Sequence, residues 1–327
     1  MQSSVSPPGD QADIHLWSAY LWRRHPELIR SLHRIPAGAT LWRAALDWLL
    51  IALAVLLAMW QGGVLTYLVA LLVIGACQGA LAVLAHEAAH YRFARSHGLN
   101  DLLGELCLAW PLLTSLRRYR SAHRLHHRHL NTDLDPDWHR NQPQRLGECR
   151  SVRQRLLLLS GIGDAWQLLK TFHGESEETN TLQDVWLIGR LLFLSLVLLA
   201  FWYSGHIILL IKFWLLPYFL IFLPMMRFRG VSDHWGLESA TGLGAARHVD
   251  VGLIAACVCY PHNINYHLAH HLFPGVPACH LPAIHQLLLS EPDVRTGMQI
   301  SRGALSVLRE LMTYQKPPAP GTHHYYG

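Results

Sequence analysis

Residues 64–90 read VLTYLVALLVIGACQGALAVLAHEAAH, an apolar stretch that runs directly into two histidines. Val64 to Ala85 carries no charged side chain. As a helix with a rise of about 1.5 Å per residue it would be roughly 33 Å long, enough to cross the hydrocarbon core of a bilayer. A preceding apolar run, Ala44 to Trp60, is separated from it only by Gln61-Gly62-Gly63. The sequence therefore predicts a hairpin of two membrane-spanning helices.

A second pair of apolar runs, Val185 to Tyr203 and His206 to Met226, is joined by Ser204-Gly205. The predicted spans are thus 44–60, 64–85, 185–203 and 206–226. Both turns are short, so the segments outside the two hairpins lie on one side of the membrane, together with every Lys and Arg except Arg190 and Lys212. By the positive-inside tendency this side is the cytoplasm. We predict an all-α integral membrane protein with a cytosolic helical cap, in the inner membrane if the source is bacterial.

The composition agrees with a membrane protein. Only 15% of the 327 residues are charged and 51% are hydrophobic, whereas about a quarter of an ordinary soluble domain is charged. The 6 cysteines are too few for a disulfide scaffold. Nucleic-acid binding is not expected, because the basic residues are not interleaved with exposed aromatic residues on a soluble module. The 23 histidines are the unusual feature.

The predicted domain division has three parts. Residues 1–43 form a cytosolic segment with an interfacial helix around Leu16 to Trp22, because this apolar and aromatic stretch is followed by Arg23, Arg24 and Arg30. Residues 44–290 form the membrane domain, in which Asp101 to Leu116 is expected to be an interfacial or re-entrant helix. Residues 291–327 form a C-terminal cytosolic segment and tail.

Three histidine clusters lie on the predicted cytosolic side. The first has spacing i, i+4, and the other two have spacing i, i+3, i+4, which turns the imidazoles of each cluster to one face of a helix. Their members are His86 and His90; His123, His126 and His127; and His267, His270 and His271. Neutral imidazole binds iron, zinc, copper and nickel, and eight such groups are enough for two metal ions. We leave out His129 and His262, because neither fits the shared faces.

At these residues the sequence resembles the membrane fatty acid desaturases, a family of non-haem di-iron enzymes with one H-x(3,4)-H box and two H-x(2,3)-H-H boxes. The resemblance extends to HHRHLNTDLDPD at 126–137 and NINYHLAHHLFPGVP at 263–277. It also includes the order hairpin, box, box, hairpin, box, and it covers roughly residues 40–290.

The resemblance implies two Fe ions, with O2 as co-substrate, and further site residues. His234, within Asp233-His234-Trp235, corresponds to a ninth histidine ligand. Acyl-CoA members of the family place an Asn ligand one turn earlier, where this chain has Gly230. Asn263 matches a family position, for which the resemblance leaves two roles open, a metal ligand or a contact to water. Outer contacts that orient the imidazoles are expected from the carboxylates Glu87, Asp133, Asp135 and Asp137.

The resemblance implies attack on an unactivated C–H bond of a fatty acid or acyl lipid, most simply desaturation. Hydroxylation and decarboxylation of a free fatty acid to a terminal 1-alkene stay open. A basic group near the metals would favour decarboxylation, because a free carboxylate needs a partner; the candidates are Arg117, Arg118, Arg120, Arg124, Arg227 and Arg229. The sequence shows no haem, flavin or iron–sulfur motif, so a separate donor is expected, of the ferredoxin, rubredoxin or cytochrome b5 type. A non-enzymatic alternative is a histidine-rich metal transporter, which would need polar ligands inside the spans.

Overall fold

The structure is a computed structural model that describes residues 6–9, 12–36, 38–137, 149, 151–161, 185–235, 237 and 242–313. Most of this part of the chain is helical. Four helices are long and apolar enough to cross a membrane, and they are Ala39–Gln61, Val64–Ala89, Val185–Tyr203 and Ile207–His234. Within the described residues, the prediction of a mostly helical protein with four helices able to span a membrane is confirmed by their length and composition.

The α-helices are numbered here in chain order. They are α1 (Ile14–Arg24), α2 (Pro26–Leu32), α3 (Ala39–Gln61), α4 (Val64–Ala89), α5 (His97–Leu103), α6 (Leu116–Arg128), α7 (Val152–Leu159), α8 (Val185–Tyr203), α9 (Ile207–Leu210), α10 (Leu223–His234), α11 (Leu253–Val258), α12 (His267–Leu272), α13 (Leu281–Ser290), α14 (Pro292–Arg295) and α15 (Ala304–Thr313). Wider π-helical turns occupy Gly104–Ala109, Ile211–Leu215 and Tyr218–Phe222, and 3-10 turns occupy Gly242–Gly244, Pro261–Asn263 and Ala278–His280.

The helices continue past the predicted ends of the spans. Helix α4 extends from Val64 to Ala89, so His86 lies within its last turn. The fourth helix continues beyond Met226 to His234 and therefore carries the arginines that follow the apolar run. Gly62 and Gly63 form the turn between α3 and α4 with φ of 64° and 83°, a conformation that glycine adopts readily.

Helix α4 is the central helix of the described structure. It contacts α3, α6 and the π-helical turns on both sides of the fold, and almost every residue of its second half is buried. Small residues allow this close packing: a Cβ at Gly75 would overlap the side chain of Ile221. The end of α4, and with it the first histidine cluster, is thereby surrounded by protein.

The segment 101–116 is broken into pieces rather than being one helix. Helix α5 ends at Leu103, a π-helical turn follows, and α6 begins at Leu116. The indole of Trp48 donates to the Cys107 carbonyl and that of Trp214 to the Pro111 carbonyl, both over 3.0 Å. Backbone groups of an irregular segment near a membrane need hydrogen-bond partners. Here tryptophans from two spans supply them.

Helix α1 packs against the helix that carries the third histidine cluster. Trp17, Tyr20 and Leu21 are buried in a core that also contains Leu268 and Leu272. The Ser18 hydroxyl donates to the Leu272 carbonyl over 2.8 Å. The apolar face of α1 is therefore largely covered by protein, and the exposed Leu16 and Trp22 are left for the predicted membrane contact.

The expectation of an all-α protein is wrong in one detail, because the structure contains a two-stranded parallel sheet. Strand β1 (Arg247–Asp250) pairs with β2 (Gln299–Arg302), with Arg247 opposite Gln299. Val249 also exchanges hydrogen bonds with Asn265, which ties β1 to the segment before α12. Both strands have four residues and mostly polar sequences, so they carry no alternating apolar signal.

His248 on β1 provides a prediction about acid stability. Burial, and then the neighbouring imidazole of His285 at 4.0 Å between ring centroids, lower the pKa of His248 to about 4. Between about pH 6.5 and pH 4 the unfolded chain binds a proton at this site and the folded chain does not, so the free energy of unfolding falls as the pH falls. We expect His248→Gln to reduce this slope by about 1.4 kcal/mol per pH unit.

The measurement is the unfolding midpoint of the metal-free protein in detergent at several pH values. His206→Gln is the control, because His206 is exposed in the turn between two spans and its replacement should leave the slope unchanged. The same dependence of the free energy of unfolding on pH in wild type and His248→Gln would contradict the prediction.

Candidate metal centre

The nine histidines singled out from the sequence come together in two adjacent groups. The first group has five members, His86, His90, His123, His127 and His270. The second has four, His126, His234, His267 and His271. Within each group, one ligand atom of every residue lies within 4.8 Å of those of the others. The two groups meet at His127 and His271, whose ring centroids are 4.4 Å apart.

The adjacent histidines of the second and third clusters divide between the groups. His126 and His271 belong to the four-histidine group, whereas their neighbours His127 and His270 belong to the five-histidine group. Successive residues of a helix point about 100° apart, so each His-His pair sends one imidazole to each group. The adjacent histidines in two of the three clusters therefore supply ligands to both groups.

The spacing of the nitrogen atoms fits metal coordination. The Nε2 atoms of His127 and His270 are 3.0 Å apart, and those of His267 and His234 are 2.8 Å apart. Ligand atoms held about 2.1 Å from one ion lie about 3.0 Å apart at adjacent positions. Both nitrogens of His86 and Nε2 of His90 are also buried without a hydrogen-bond partner in the described residues. A bound metal ion is the group that such nitrogens fit.

The electrostatics keep these imidazoles neutral. Burial is the largest cause and lowers the pKa of His90 to about 3. Burial and the surrounding imidazoles also hold the pKa values of His123, His127, His267, His270 and His271 well below 6.5. Because a metal binds the unprotonated nitrogen, the centre is prepared for metal binding at neutral pH.

His126 is the exception, and Asp135 is the reason. Nδ1 of His126 lies 2.9 and 3.0 Å from the two carboxylate oxygens of Asp135. Burial alone would lower the pKa of His126, but this hydrogen bond and the charges of Asp137 and Asp135 raise it. Asp135 itself accepts the backbone N–H groups of Asn131 and Asp137. The carboxylate therefore fixes the proton on Nδ1 and turns Nε2 of His126 toward the four-histidine group.

The other predicted outer contacts differ from expectation. Glu87 accepts the backbone N–H of Ala278 over 2.7 Å, and Asn263 donates to the Ala278 carbonyl over 3.1 Å. Both side chains thus hold the turn that follows α12, and within the described residues their hydrogen bonds involve no imidazole. Asp137 lies 3.9 Å from Nδ1 of His126, beyond hydrogen-bond distance, and Asp133 is exposed.

Three neighbours of the histidines were missed by the sequence analysis. Nδ1 of His234 donates to the Ala245 carbonyl over 3.1 Å, which leaves Nε2 for a metal. Tyr119 stacks on His123 with ring centroids 5.2 Å apart. Asp233 lies 3.8 Å from Nδ1 of His267. The Ala245 carbonyl leaves no trace in the sequence, but Tyr119 stands one turn before the second cluster and could have been found there.

Arg120 is a further residue that the sequence analysis considered only as a substrate contact. Its guanidinium is buried and donates to the carbonyls of Ala88 and Ala89, to the Tyr91 hydroxyl and to Asp101, over 2.5–3.0 Å. It thus closes the end of α4 between His86 and His90. Arg120 positions the first histidine cluster.

The excluded histidines are not in the centre. His262 lies 2.9 Å from the Asp47 carboxylate on α3. His129 follows the last turn of α6 and is not a member of either group.

An apolar cavity of about 180 Å³ lies beside the histidines. Its apolar walls come from α4, the segment before α6 and the fourth span, and include Ala82, Ala85, Leu112, Phe222, Leu223 and Met226. Ala85 immediately precedes His86, and Tyr119, which stacks on His123, lines the same space. Arg227, Arg229 and Asp137 are the charged lining residues. The cavity is suited to hold an alkyl chain next to the histidine groups.

Replacing Asp135 tests the orienting contact. We expect Asp135→Asn to weaken iron binding by about 10- to 100-fold, because the amide lacks the charge that holds the proton on Nδ1 of His126. Competition with a calibrated chelator measures the affinity. Asp133→Asn is the matched control on the exposed side of the same loop, and equal losses in both variants would argue against a specific role for Asp135.

Comparison with known proteins is consistent with this geometry. Residues 62–298 match the model of the family described as fatty acid desaturase. The chain is 27% identical over 241 residues to dihydrorhizobitoxine desaturase of Bradyrhizobium elkanii, covering 69% of this chain and 68% of that protein. It is 26% identical over 224 residues to sn-1 oleoyl-lipid 12-desaturase of Picosynechococcus sp., covering 61% of this chain and 62% of that protein. A third relative, sn-1 acyl-lipid omega-3 desaturase (ferredoxin) of Nostoc sp., is 25% identical over 227 residues, with 61% and 60% covered.

Proposed function

Because the chain belongs to the fatty acid desaturase family, we propose that it is an O2-dependent di-iron oxidoreductase that introduces a double bond into a fatty acyl chain. The observation that carries this proposal is the pair of histidine groups beside an apolar cavity. The imidazoles supply ligands for two metal ions, and the cavity supplies a place for an alkyl chain within reach of them.

We assign one iron to the five-histidine group and one to the four-histidine group. Asn263 and Glu87 are assigned to the support of the Ala278 turn and not to the metals. When bound, the two irons would supply the activation of O2 that removal of hydrogen from an unactivated C–H bond requires. Reduction of both irons needs electrons from outside the site.

The residues of this chain position the substrate, exclude water from the cavity and orient the histidine ligands. The small side chains of Ala82 and Ala85 leave room for the chain of the substrate against α4, and Phe222 and Leu223 close the opposite wall. These apolar walls exclude water and so protect the reacting carbon from competing chemistry. Asp135 and the Ala245 carbonyl hold Nδ1–H of His126 and His234, which keeps each Nε2 directed to a metal.

The membrane arrangement proposed with this function has two helical hairpins and a cytosolic cap. The four long helices form the hairpins, and the histidine-bearing helices α6 and α12 belong to the cap. The active site then faces the cytoplasm, at the inner membrane of a bacterium. The division into segments 1–43, 44–290 and 291–327 remains a prediction; of the last segment, residues 314–327 lie outside the described structure.

The proposed electron donor is a separate protein of the ferredoxin, rubredoxin or cytochrome b5 type. The name of the Nostoc relative includes ferredoxin, which supports the first of these. The proposed substrate class is a fatty acid or an acyl lipid, since the relative from Picosynechococcus is named for an oleoyl lipid.

Decarboxylation of a free fatty acid to a terminal alkene is a second candidate, favoured by the two arginines in the cavity lining. Hydroxylation remains a third outcome of the same hydrogen removal. Metal transport is set aside, because membership of a desaturase family indicates an enzyme.

Mass spectrometry of lipids and headspace volatiles from cells that express the wild-type chain or His127→Ala tests the function. A new internal double bond that depends on His127 is the expected result. A hydroxylated lipid or a volatile alkene one carbon shorter would select one of the other reactions. A product that persists in His127→Ala would contradict the assignment of the metal centre.

A further inference from the structure

Arg229 brings a positive charge to the cavity. It lies on α10 and lines the cavity together with Arg227 and Gly230. Its Nε and Nη1 atoms are buried and have no hydrogen-bond partner in the described residues. A carboxylate oxygen of Asp233 lies 3.9 Å from Nε, which is too long for a hydrogen bond. A guanidinium with two buried, unpaired nitrogen atoms favours an anion that completes its hydrogen bonds.

Arg229 is also close to the histidines. The same Asp233 oxygen that lies 3.9 Å from Nε of Arg229 is 3.8 Å from Nδ1 of His267. The guanidinium therefore lies near the four-histidine group, in a largely apolar cavity whose other charged lining residues are Arg227 and Asp137. An anion bound to Arg229 would sit beside the metal centre, with its apolar part along the walls formed by Ala85 and Phe222.

The charge of the metal centre also favours the binding of an anion. The nine histidine ligands are neutral when they bind metal and contribute no negative charge to two divalent ions. Asp233, Asp135 and Glu87 are buried carboxylates near the groups, and Arg229 lies close enough to Asp233 to offset part of its charge. A further anion at the cavity would reduce the remaining positive charge.

We propose that Arg229 binds the carboxylate of a single-chain free fatty acid, which places the carbons next to the carboxylate nearest to the metal centre. This inference rests on the proposed function and narrows its substrate class. A planar guanidinium forms two parallel hydrogen bonds with a carboxylate. Phosphate offers similar oxygens, so a single-chain lipid phosphate is the competing source of the same anionic chemistry.

Binding to the full-length, iron-loaded protein in phosphatidylcholine nanodiscs tests the proposal without turnover. The probes are radiolabelled dodecanoate, its methyl ester and a lysophosphatidate, each measured against protein-free nanodiscs at about pH 8, where the carboxylate is ionised. We expect dodecanoate to bind about tenfold more tightly than the ester. Arg229→Gln should remove this preference and leave ester binding unchanged. Arg229→Lys should retain part of it, because lysine keeps the charge but loses the planar fork.

The matched control is Arg302→Gln, since Arg302 is exposed on β2, and iron content verifies that each variant is folded. Equal binding of acid and ester by the wild type would overturn the proposal, as would an acid preference that survives Arg229→Gln. Tighter binding of lysophosphatidate than of dodecanoate would assign the site to a phosphate head group and also overturn it.

A measurement on the wild type alone gives an independent test. The carbon NMR shift of [1-13C]dodecanoate, followed against pH, reports the pKa of the bound carboxyl group. A guanidinium partner lowers this pKa, so a bound acid that titrates at or above its value in the nanodisc alone would contradict the proposal. Because neither measurement needs an electron donor or a product, failure of desaturation would leave the result on acid binding unaffected.

Discussion

His270→Ala is expected to reduce iron content from about two ions per chain to about one and to lower turnover by more than about 100-fold. His270 is fully buried, and its Nε2 lies 3.0 Å from that of His127 in the five-histidine group. Loss of an outer contact alone commonly costs 10- to 100-fold in affinity or activity, so loss of a direct ligand should exceed this range. Iron analysis and product formation measure the two effects.

His271→Ala should give the complementary result. Its imidazole belongs to the four-histidine group, so the same loss of one iron is expected, with the five-histidine group still loaded. His129→Ala is the control, because His129 follows the second cluster closely but belongs to neither group. Full iron content in His271→Ala, or equal losses in all three variants, would contradict the assignment of ligands.

Arg120→Ala is expected to lower the free energy of unfolding by about 3–5 kcal/mol, the range observed when one partner of a buried ion pair is removed. The change leaves Asp101 without its cation and releases the carbonyls of Ala88 and Ala89. The guanidinium also lies 4.0 Å from the centroid of the Tyr91 ring. Because these contacts lie between His86 and His90, iron affinity should fall together with stability.

Denaturant unfolding in detergent and chelator competition measure the two effects of Arg120. Arg128→Ala is the control on the same helix, since that arginine is exposed, and it should change stability by less than about 0.5 kcal/mol. Arg120→Lys should restore only part of the loss, because a single ammonium cannot reach all four acceptors. An Arg120→Ala protein with wild-type iron affinity would show that the end of α4 is held by other contacts.

The sequence predicted the long helices and the grouping of the histidines for physical reasons. A bilayer requires long uninterrupted apolar helices, so the four spans were visible in the order of residues alone. The i, i+3, i+4 spacing placed the imidazoles of each cluster on one side of a helix, but it did not show that adjacent histidines divide between two groups. The structure brings His126, His234 and His271, from three separate helices, into one group and His86, from a fourth helix, into the adjacent group; for His234 the prediction came from family resemblance.

Contacts between distant segments were not predictable in the same way. Glu87 and Asn263 were both placed near the metals, yet they meet at Ala278, whose backbone groups have no sequence signal. Arg120 was considered as a substrate contact, because its sequence neighbours do not reveal that the end of α4 lies beside it. The short sheet was missed because its stability comes from its surroundings and not from the preference of four polar residues.

The division of each His-His pair between the two groups has a consequence for metal loading. The peptide bond between His126 and His127, and that between His270 and His271, each link a ligand of one ion to a ligand of the other. Ordering either helix around the first ion therefore restrains ligands for the second, so occupancy should rise cooperatively during iron titration, with few singly loaded molecules. A one-residue insertion within either pair would therefore weaken metal binding at both sites.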